Sequence, residues 1–199
     1  MFHEQRSAAL RQEALDLITG SGMAAVLEQQ FRRPMIVGSV ALDLMTWRDI
    51  DIYVPLESAE RDRFVAVLPP VVAALGATGH VAYRITYNDE WFRPRGDYGQ
   101  GYYLGFRIAA GDGHEWKIDL WAWDPATYER KLSDFAALDE RLRRADRALI
   151  LRLKSEAQGL PGFRDWITSH DIYQFVLDEA GTTLGELEDY CAERRRAGR

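Results

Sequence analysis

Apolar residues in this chain recur first at helical spacing, then at strand spacing, then at helical spacing again. Over Glu4 to Ile18 the stripe Leu10, Ala14, Leu17 and Ile18 falls on one side of a helix. Gly20-Ser21-Gly22 breaks it, Met23 to Phe31 continues as a second helix, and Pro34 ends that segment. Met35-Ile36-Val37 reads as a short buried strand running into Gly38, and Val40 to Met45 as a brief helix. Arg48 to Val54 reads as a strand closed by Pro55. Ser58 to Leu68 reads as a helix with Ser58 as its N-cap, and Val71 to Leu75 extends or restarts it after Pro69-Pro70.

From His80 to Trp123 the pattern is that of strands. Val81 to Tyr87, Tyr102 to Ala109 and Glu115 to Trp121 carry the β-branched and aromatic residues that strands favour. Ala110-Gly111-Asp112-Gly113 makes the last two a hairpin, and Asn88 to Gly101 reads as an irregular loop. Gly96, Gly99, Gly101 and Gly105 are loop and hairpin punctuation, because no helix start follows them. Beyond Pro125 the period is helical again. Helices are expected over Asp139 to Gln158, Phe163 to Ala180 and Thr183 to Arg195, with breaks at Gly159-Leu160-Pro161-Gly162 and Gly181. The fold class expected is α/β (α+β): a core with a small mixed sheet over residues 1–130 and a C-terminal helical lobe over residues 131–199.

Composition narrows the setting. Of 199 residues, 47% are hydrophobic and 12% aromatic, which is enough to bury a core. No apolar run reaches the roughly 20 residues a membrane span needs, and Met1 to Arg11 lacks a signal-peptide core, so a cytoplasmic protein without a membrane partner is expected. The single cysteine, Cys191, excludes an intrachain disulfide and a cysteine-based zinc cluster. A net charge of −6 argues against non-specific binding to long nucleic acids and favours a cationic small molecule. The Arg194-Arg195-Arg196 run and Arg199 read as a solvated helix end.

Chemistry concentrates in Val37-Gly38-Ser39, nine residues, then Asp49-Ile50-Asp51-Ile52. Asp49 and Asp51 share one face of a strand while Ile50 and Ile52 enter the core. Adjacent carboxylates repel, and burial makes the repulsion worse, unless a hard divalent cation sits between them. A Gly-Ser turn upstream offers N–H groups and a hydroxyl to a phosphate chain. Asp119 lies in the otherwise apolar run Ile118-Asp119-Leu120-Trp121. If its strand neighbours the Asp49/Asp51 strand, two Mg²⁺ ions and in-line phosphoryl displacement follow. The plain alternatives are an edge strand with its acids in water, and Asp119 as a surface acid paired with Lys117 or a neighbour. The aromatics Tyr83, Tyr87, Trp91, Phe92, Tyr98, Tyr102, Tyr103 and Phe106 are expected mostly in the core, with a minority lining an acceptor pocket.

This pattern, Gly-Ser, a nine-residue gap, Asp-apolar-Asp-apolar and a later apolar-Asp-apolar strand, resembles the polymerase-β-like nucleotidyltransferase superfamily. The resemblance covers Met35 to Trp121. It implies transfer of a nucleoside monophosphate from a nucleoside triphosphate, with ATP the expected donor, to a hydroxyl, releasing pyrophosphate. It implies that Gly38 and Ser39 hold the triphosphate and that Asp49, Asp51 and Asp119 are the catalytic metal ligands. Antibiotic-modifying members carry a second glycine and a serine that are Val40-Ala41-Leu42-Asp43 and Trp47-Arg48 here. The Ala41-Leu42-x-Leu44 run is more similar to nucleotidyltransferase toxins of abortive-infection and toxin–antitoxin systems. That likeness implies Lys154 as a nucleotide-binding lysine, for which a solvated helix lysine is the plain alternative, and draws attention to Asp171, which reads on its own as a first-turn helix residue. A small hydroxylated acceptor is expected from charge and size. A tRNA or protein acceptor is the alternative, and a Lys/Arg-lined groove leading to the triad would favour RNA. A catalytically silent nucleotide-binding module is the third reading.

Overall fold

The computed structural model describes residues 2–93, 99–161, 163 and 166–197. Gly96, Tyr98, Gly162 and Arg199 lie outside the described residues, as does the middle of the segment expected as a loop. Among the described residues, the elements run α1 Phe2–Gly20, α2 Met23–Gln30, β1 Met35–Val37, α3 Gly38–Ala41, β2 Asp49–Pro55, α4 Arg61–Val65, α5 Leu68–Ala77, β3 Val81–Asp89, β4 Gly101–Ala109, β5 Glu115–Trp123, α6 Pro125–Leu142, α7 Arg147–Ala157, α8 Ser169–Asp178 and α9 Leu184–Arg196. The expected mixed α/β core with a small sheet and a helical C-terminal segment is what the chain forms.

The five strands lie in the order β1-β2-β5-β4-β3. β2 and β5 are parallel, and the other neighbours are antiparallel. The alternation read from sequence determines the faces. Ile50, Ile52 and Val54 on β2 join Trp116, Ile118 and Leu120 on β5 and Leu104 and Phe106 on β4 beneath the sheet. There they meet α1, α2, α4 and α5 through Leu10, Ala14, Leu27, Phe64 and Leu75. Each fully buried side chain of this kind contributes about 1.5–3 kcal/mol. The opposite face carries Asp49, Asp51, Lys117 and Asp119 beside the rings of Tyr53, Tyr103 and Trp121, and α6 packs over its β2–β5 half.

The helical boundaries depart from the apolar pattern where capping residues intervene. The helix expected over Asp139 to Gln158 is split: α6 begins at Pro125, capped by Asp124, and ends at Leu142. Asp146 then accepts from Leu149 N–H and starts α7. The helix expected from Phe163 instead starts at Ser169, because Thr168 and Asp171 form a reciprocal capping box. Asp171 is thereby the first-turn residue its sequence context suggested. Of the described residues before it, Phe163 sets its ring edge-on to Trp47 at 5.3 Å, and Ile167 is buried. The helix expected over Val40 to Met45 is one short turn starting at Gly38. Among the aromatics expected in the core, Tyr102 and Phe106 are buried, whereas Tyr83 and Tyr87 are exposed because β3 is an edge strand, and Phe92 is exposed in the turn that follows it.

Thr168→Ala removes the hydroxyl of this box and should cost about 1 kcal/mol of unfolding free energy, read from urea melts. An unchanged melt would show that tertiary packing, not the cap, defines the start of α8.

Candidate active site

Parallel pairing of β2 with β5 brings Asp51 directly opposite Asp119 and Asp49 opposite Lys117. Residues 49, 51 and 119, read as two separate acidic strands in sequence, therefore meet on one open sheet face. Asp119 is only 8% exposed, so it is not a surface acid, although Lys117 does pair with it. The Lys117 ammonium also lies 3.6 Å from Asp49 Oδ1 and so stands between the two strands' carboxylates. Burial works against that ammonium, but Asp49 and Asp119 more than offset it and hold its pKa above the ordinary value.

Burial, then Asp49, then Asp119 push the Asp51 carboxyl up from 3.8 to about 7, against the lowering effect of Lys117 and Lys154. Asp119 is also raised, by burial first, with Lys117 and the Tyr103 hydroxyl acting the other way. Tyr103 donates to Asp119 Oδ1 at 2.8 Å. It reaches there only because Gly105 sits opposite Asp119 without a side chain. A Cβ at Gly105 would lie 2.2 Å from the Tyr103 hydroxyl oxygen. Trp47 Nε1 donates to Asp49 Oδ2 at 3.2 Å.

Gly38 ends β1 with φ +64, a left-handed conformation that favours glycine. A Cβ there would be 2.3 Å from Asp51 Oδ2, so the Gly38 backbone and the Asp51 carboxylate share one space. Ser39 follows, nearly buried, and its carbonyl accepts from Leu44 N–H at 2.9 Å. An open cleft of about 990 Å³ begins here; Gly38, Ser39, Asp49 and Asp51 line one wall. The other wall comes from α6 and α8, through Lys131, Phe135, Arg141, His170, Tyr173 and Gln174.

Lys154, expected at the nucleotide, is fully buried behind this wall. It donates to the Leu44 carbonyl at 2.6 Å and the Tyr173 hydroxyl at 3.0 Å, and it lies over the Trp47 ring at 4.8 Å. Its charge acts on Asp51 through the protein. Lys117, Tyr103, Gly105 and Lys131 were not singled out as site residues. For Lys117, two-residue spacing from Asp119 was the available signal; for the others only the strand register or the α6 packing reveals them.

As they stand, no three His, Cys, Asp or Glu side chains among the described residues are arranged around a common metal position. The donor set itself is carboxylate oxygen, the chemistry hard divalent cations take. The tight fit of Gly38 against Asp51 keeps one of those carboxylates against the Gly-Ser backbone. In chemistry, these residues suit a divalent cation of the Mg²⁺ type.

No family model matches the chain, and no curated protein matches it. Among solved structures it is similar to Cid1, described through the structural plasticity behind its RNA terminal uridylyl transferase activity. Identity is 16% and the TM-score 0.44; the match covers 88% of this chain and 46% of that one, so this chain spans about half the length of that relative. No helix among the described residues is long and apolar enough to cross a membrane.

Two outcomes follow from this geometry. Gly38→Ala should cost about 1–3 kcal/mol in urea unfolding, from φ strain and the clash with Asp51; an unaltered midpoint would show that the turn relaxes freely. The raised Asp51 pKa means that the folded chain holds its proton more tightly than the unfolded one. Its contribution is full below about 4 and lost as pH rises through about 7. In metal-free buffer, Asp51→Asn should therefore gain stability relative to wild type across that window and remain level above it. Parallel curves for the two proteins would remove the shift.

Proposed function

We propose that this chain is a Mg²⁺-dependent nucleotidyltransferase of the polymerase-β-like type, moving a nucleoside monophosphate from a nucleoside triphosphate such as ATP to a hydroxyl. The observation that carries this reading is the pairing of Asp51 with Asp119 beside the glycine that shares space with Asp51. Three acids and a phosphate-binding turn on one face have little structural use, since burial, and after it the repulsion of Asp49 and Asp119, pushes Asp51 up to about 7.

In the proposed reaction, Gly38 N–H and the Ser39 hydroxyl hold the triphosphate, with the cationic Lys131 and Arg141 on the facing wall. Lys154 braces the Leu44 segment and Tyr173 from behind, and so fixes Ser39 and the α8 wall relative to each other. Asp49, Asp51 and Asp119 would hold Mg²⁺, two ions in the full arrangement. When bound, these supply charge neutralisation and a more acidic acceptor hydroxyl. Lys117 would yield its position between the carboxylates to that charge. The acceptor oxygen attacks the α-phosphorus, the bond to the β-phosphate oxygen breaks, pyrophosphate leaves, and the hydroxyl proton passes to Asp119. The helices from residue 131 onward act as a lobe that closes the cleft. The overall charge of −6 favours a small neutral or cationic acceptor.

Incubation with α-labelled triphosphates and Mg²⁺, against RNA, protein and aminoglycoside-like acceptors, tests the reading. Wild type should bind triphosphate and transfer label, and Asp51→Asn should lose turnover by at least about 100-fold while staying folded. Equal turnover in the folded variant would refute the role of Asp51, and triphosphate binding without any transfer by wild type would leave the silent nucleotide-binding module.

A further inference from the structure

Of the 25 basic residues in this chain, 22 are arginine and only three are lysine. All three lysines stand at the carboxylate face or its surroundings: Lys117 on β5, Lys131 in the cleft wall and Lys154 buried behind that wall. The sheet register orders the open face into rows. One row runs Asp49, Lys117, Arg107, Arg84 across β2, β5, β4 and β3, and the next carries Asp51 and Asp119. An ordinary cross-strand pair would join Lys117 to Asp49 alone. Its ammonium instead lies 3.6 Å from Asp49 Oδ1 and closes on Asp119 Oδ2 in the neighbouring row. Lysines commonly keep their heads in water. This side chain is only 21% exposed.

The same two acids each have one oxygen held by a neutral donor. Trp47 Nε1 donates to Asp49 Oδ2, and the Tyr103 hydroxyl donates to Asp119 Oδ1. The other oxygen of each acid is thereby turned towards the ammonium. Asp51 differs: it lies against the Gly38 backbone and, among the described residues, takes no ion pair from Lys117. Arg107 stands directly opposite Lys117 on β4, and like charges so placed repel, which disfavours a shift of the ammonium along its row towards the sheet edge. Lysine suits the place better than arginine. Its ammonium is a compact point charge with three donors, whereas a guanidinium is a planar fork.

We propose that Lys117 is a tethered cation that fills one of two cation positions in the metal-free protein, which makes the two positions unequal. A divalent ion at Asp51 enters without displacing the ammonium. An ion on Asp119 and Asp49 enters only by exchange with it, and the ammonium then swings on its flexible stem out from the sheet face. Lys117 is thus a positioning residue: it keeps the acids assembled before metal arrives and sets how readily the last ion binds. No covalent bond is made or broken in the exchange. The inference rests on the nucleotidyl-transfer reading only for the binding of a divalent cation by these acids.

Titration with Mn²⁺, followed by the electron paramagnetic resonance signal of the free ion, measures the exchange without triphosphate. Wild type should bind one Mn²⁺ more tightly than the second, and Lys117→Met should tighten the weaker one at least about 10-fold. In EDTA, Lys117→Met should melt below wild type, and Mn²⁺ should raise its melting temperature by more than it raises that of wild type. A lysine of purely structural use would leave those two metal-induced shifts equal. Lys117→Arg keeps the charge and should bind Mn²⁺ no tighter than wild type. Reductive methylation of wild type, read by peptide mass spectrometry, covers the case in which Lys117→Met does not fold. Lys117 should be labelled slowly in EDTA and several-fold faster in saturating Mn²⁺, with Lys154 unlabelled in both. Equal Mn²⁺ isotherms for wild type and Lys117→Met, or Lys117 labelling that bound metal does not change, overturn the inference. Label transfer from triphosphate by wild type would then still stand. Absence of Mn²⁺ binding in both folded proteins overturns it together with the metal reading. Metal-dependent release of Lys117 in a protein that binds no triphosphate instead keeps the exchange and removes nucleotidyl transfer.

Discussion

Three carboxylates on adjoining strands repel one another, and the surroundings of this sheet face are organised around that repulsion. Two unit charges about 4 Å apart at an effective dielectric of about 20 interact by about 4 kcal/mol. One hydrogen bond to a charged group contributes about 1.5–3 kcal/mol. The Trp47 and Tyr103 hydrogen bonds to Asp49 and Asp119 therefore orient the acids without neutralising them. Positive charge has to do that, and in this arrangement Lys117 supplies it to Asp49 and Asp119. Asp51 gains least: Lys117 and Lys154 lower its pKa, yet burial and its two neighbours still push it up to about 7. A site built this way favours whatever brings further cationic charge.

The same constraint links the C-terminal helices to the sheet. Leu44 lies in the segment that joins Ser39 to Asp49, and Lys154 of α7 holds its carbonyl while bonding Tyr173 of α8. Arg147, also on α7, bonds the Asp43 carbonyl and carboxylate one residue earlier. Two side chains of one helix thus fix the loop that connects the Gly38-Ser39 turn to the strand bearing Asp49 and Asp51. Movement of α7 would shift that loop, and α8, which lines the cleft, would move with it.

Much of this was legible in the residues, and the limits are instructive. The Asp49/Asp51 alternation was readable because a period of two assigns faces without knowing the neighbouring strand. Asp119 was readable as one acid in an apolar strand, but its meeting with Asp51 depended on a parallel crossover that no local pattern encodes. The α6–α7 and Phe163–Ser169 boundaries escaped because apolar spacing runs through them; Asp146 and Thr168, capping residues of ordinary type, decide where the helices start. Lys154 looked like a solvated helix lysine or a nucleotide ligand. Its full burial against Trp47 and Tyr173 comes from the packing of α7 on α8 and on the Leu44 loop, which is tertiary.

Net charge and local charge are distinct for a related reason. An average of −6 describes the molecule at distances beyond the Debye length, about 8–10 Å in ordinary salt, where an acceptor has not yet made contact. At contact the local rows matter. Asp178, Glu179, Glu186, Asp189 and Glu193 gather along a groove between α8 and α9, so a share of the acidity sits on the helical side of the fold. The open sheet face has its own composition, with Arg84 and Arg107 brought beside Lys117 from positions 33 and 10 residues away in sequence only by strand pairing. A ligand approaching along β3 and β4 would meet those cations before the carboxylates. The overall charge acts on such an approach from a distance, while the register of the sheet decides which charges the ligand meets at contact.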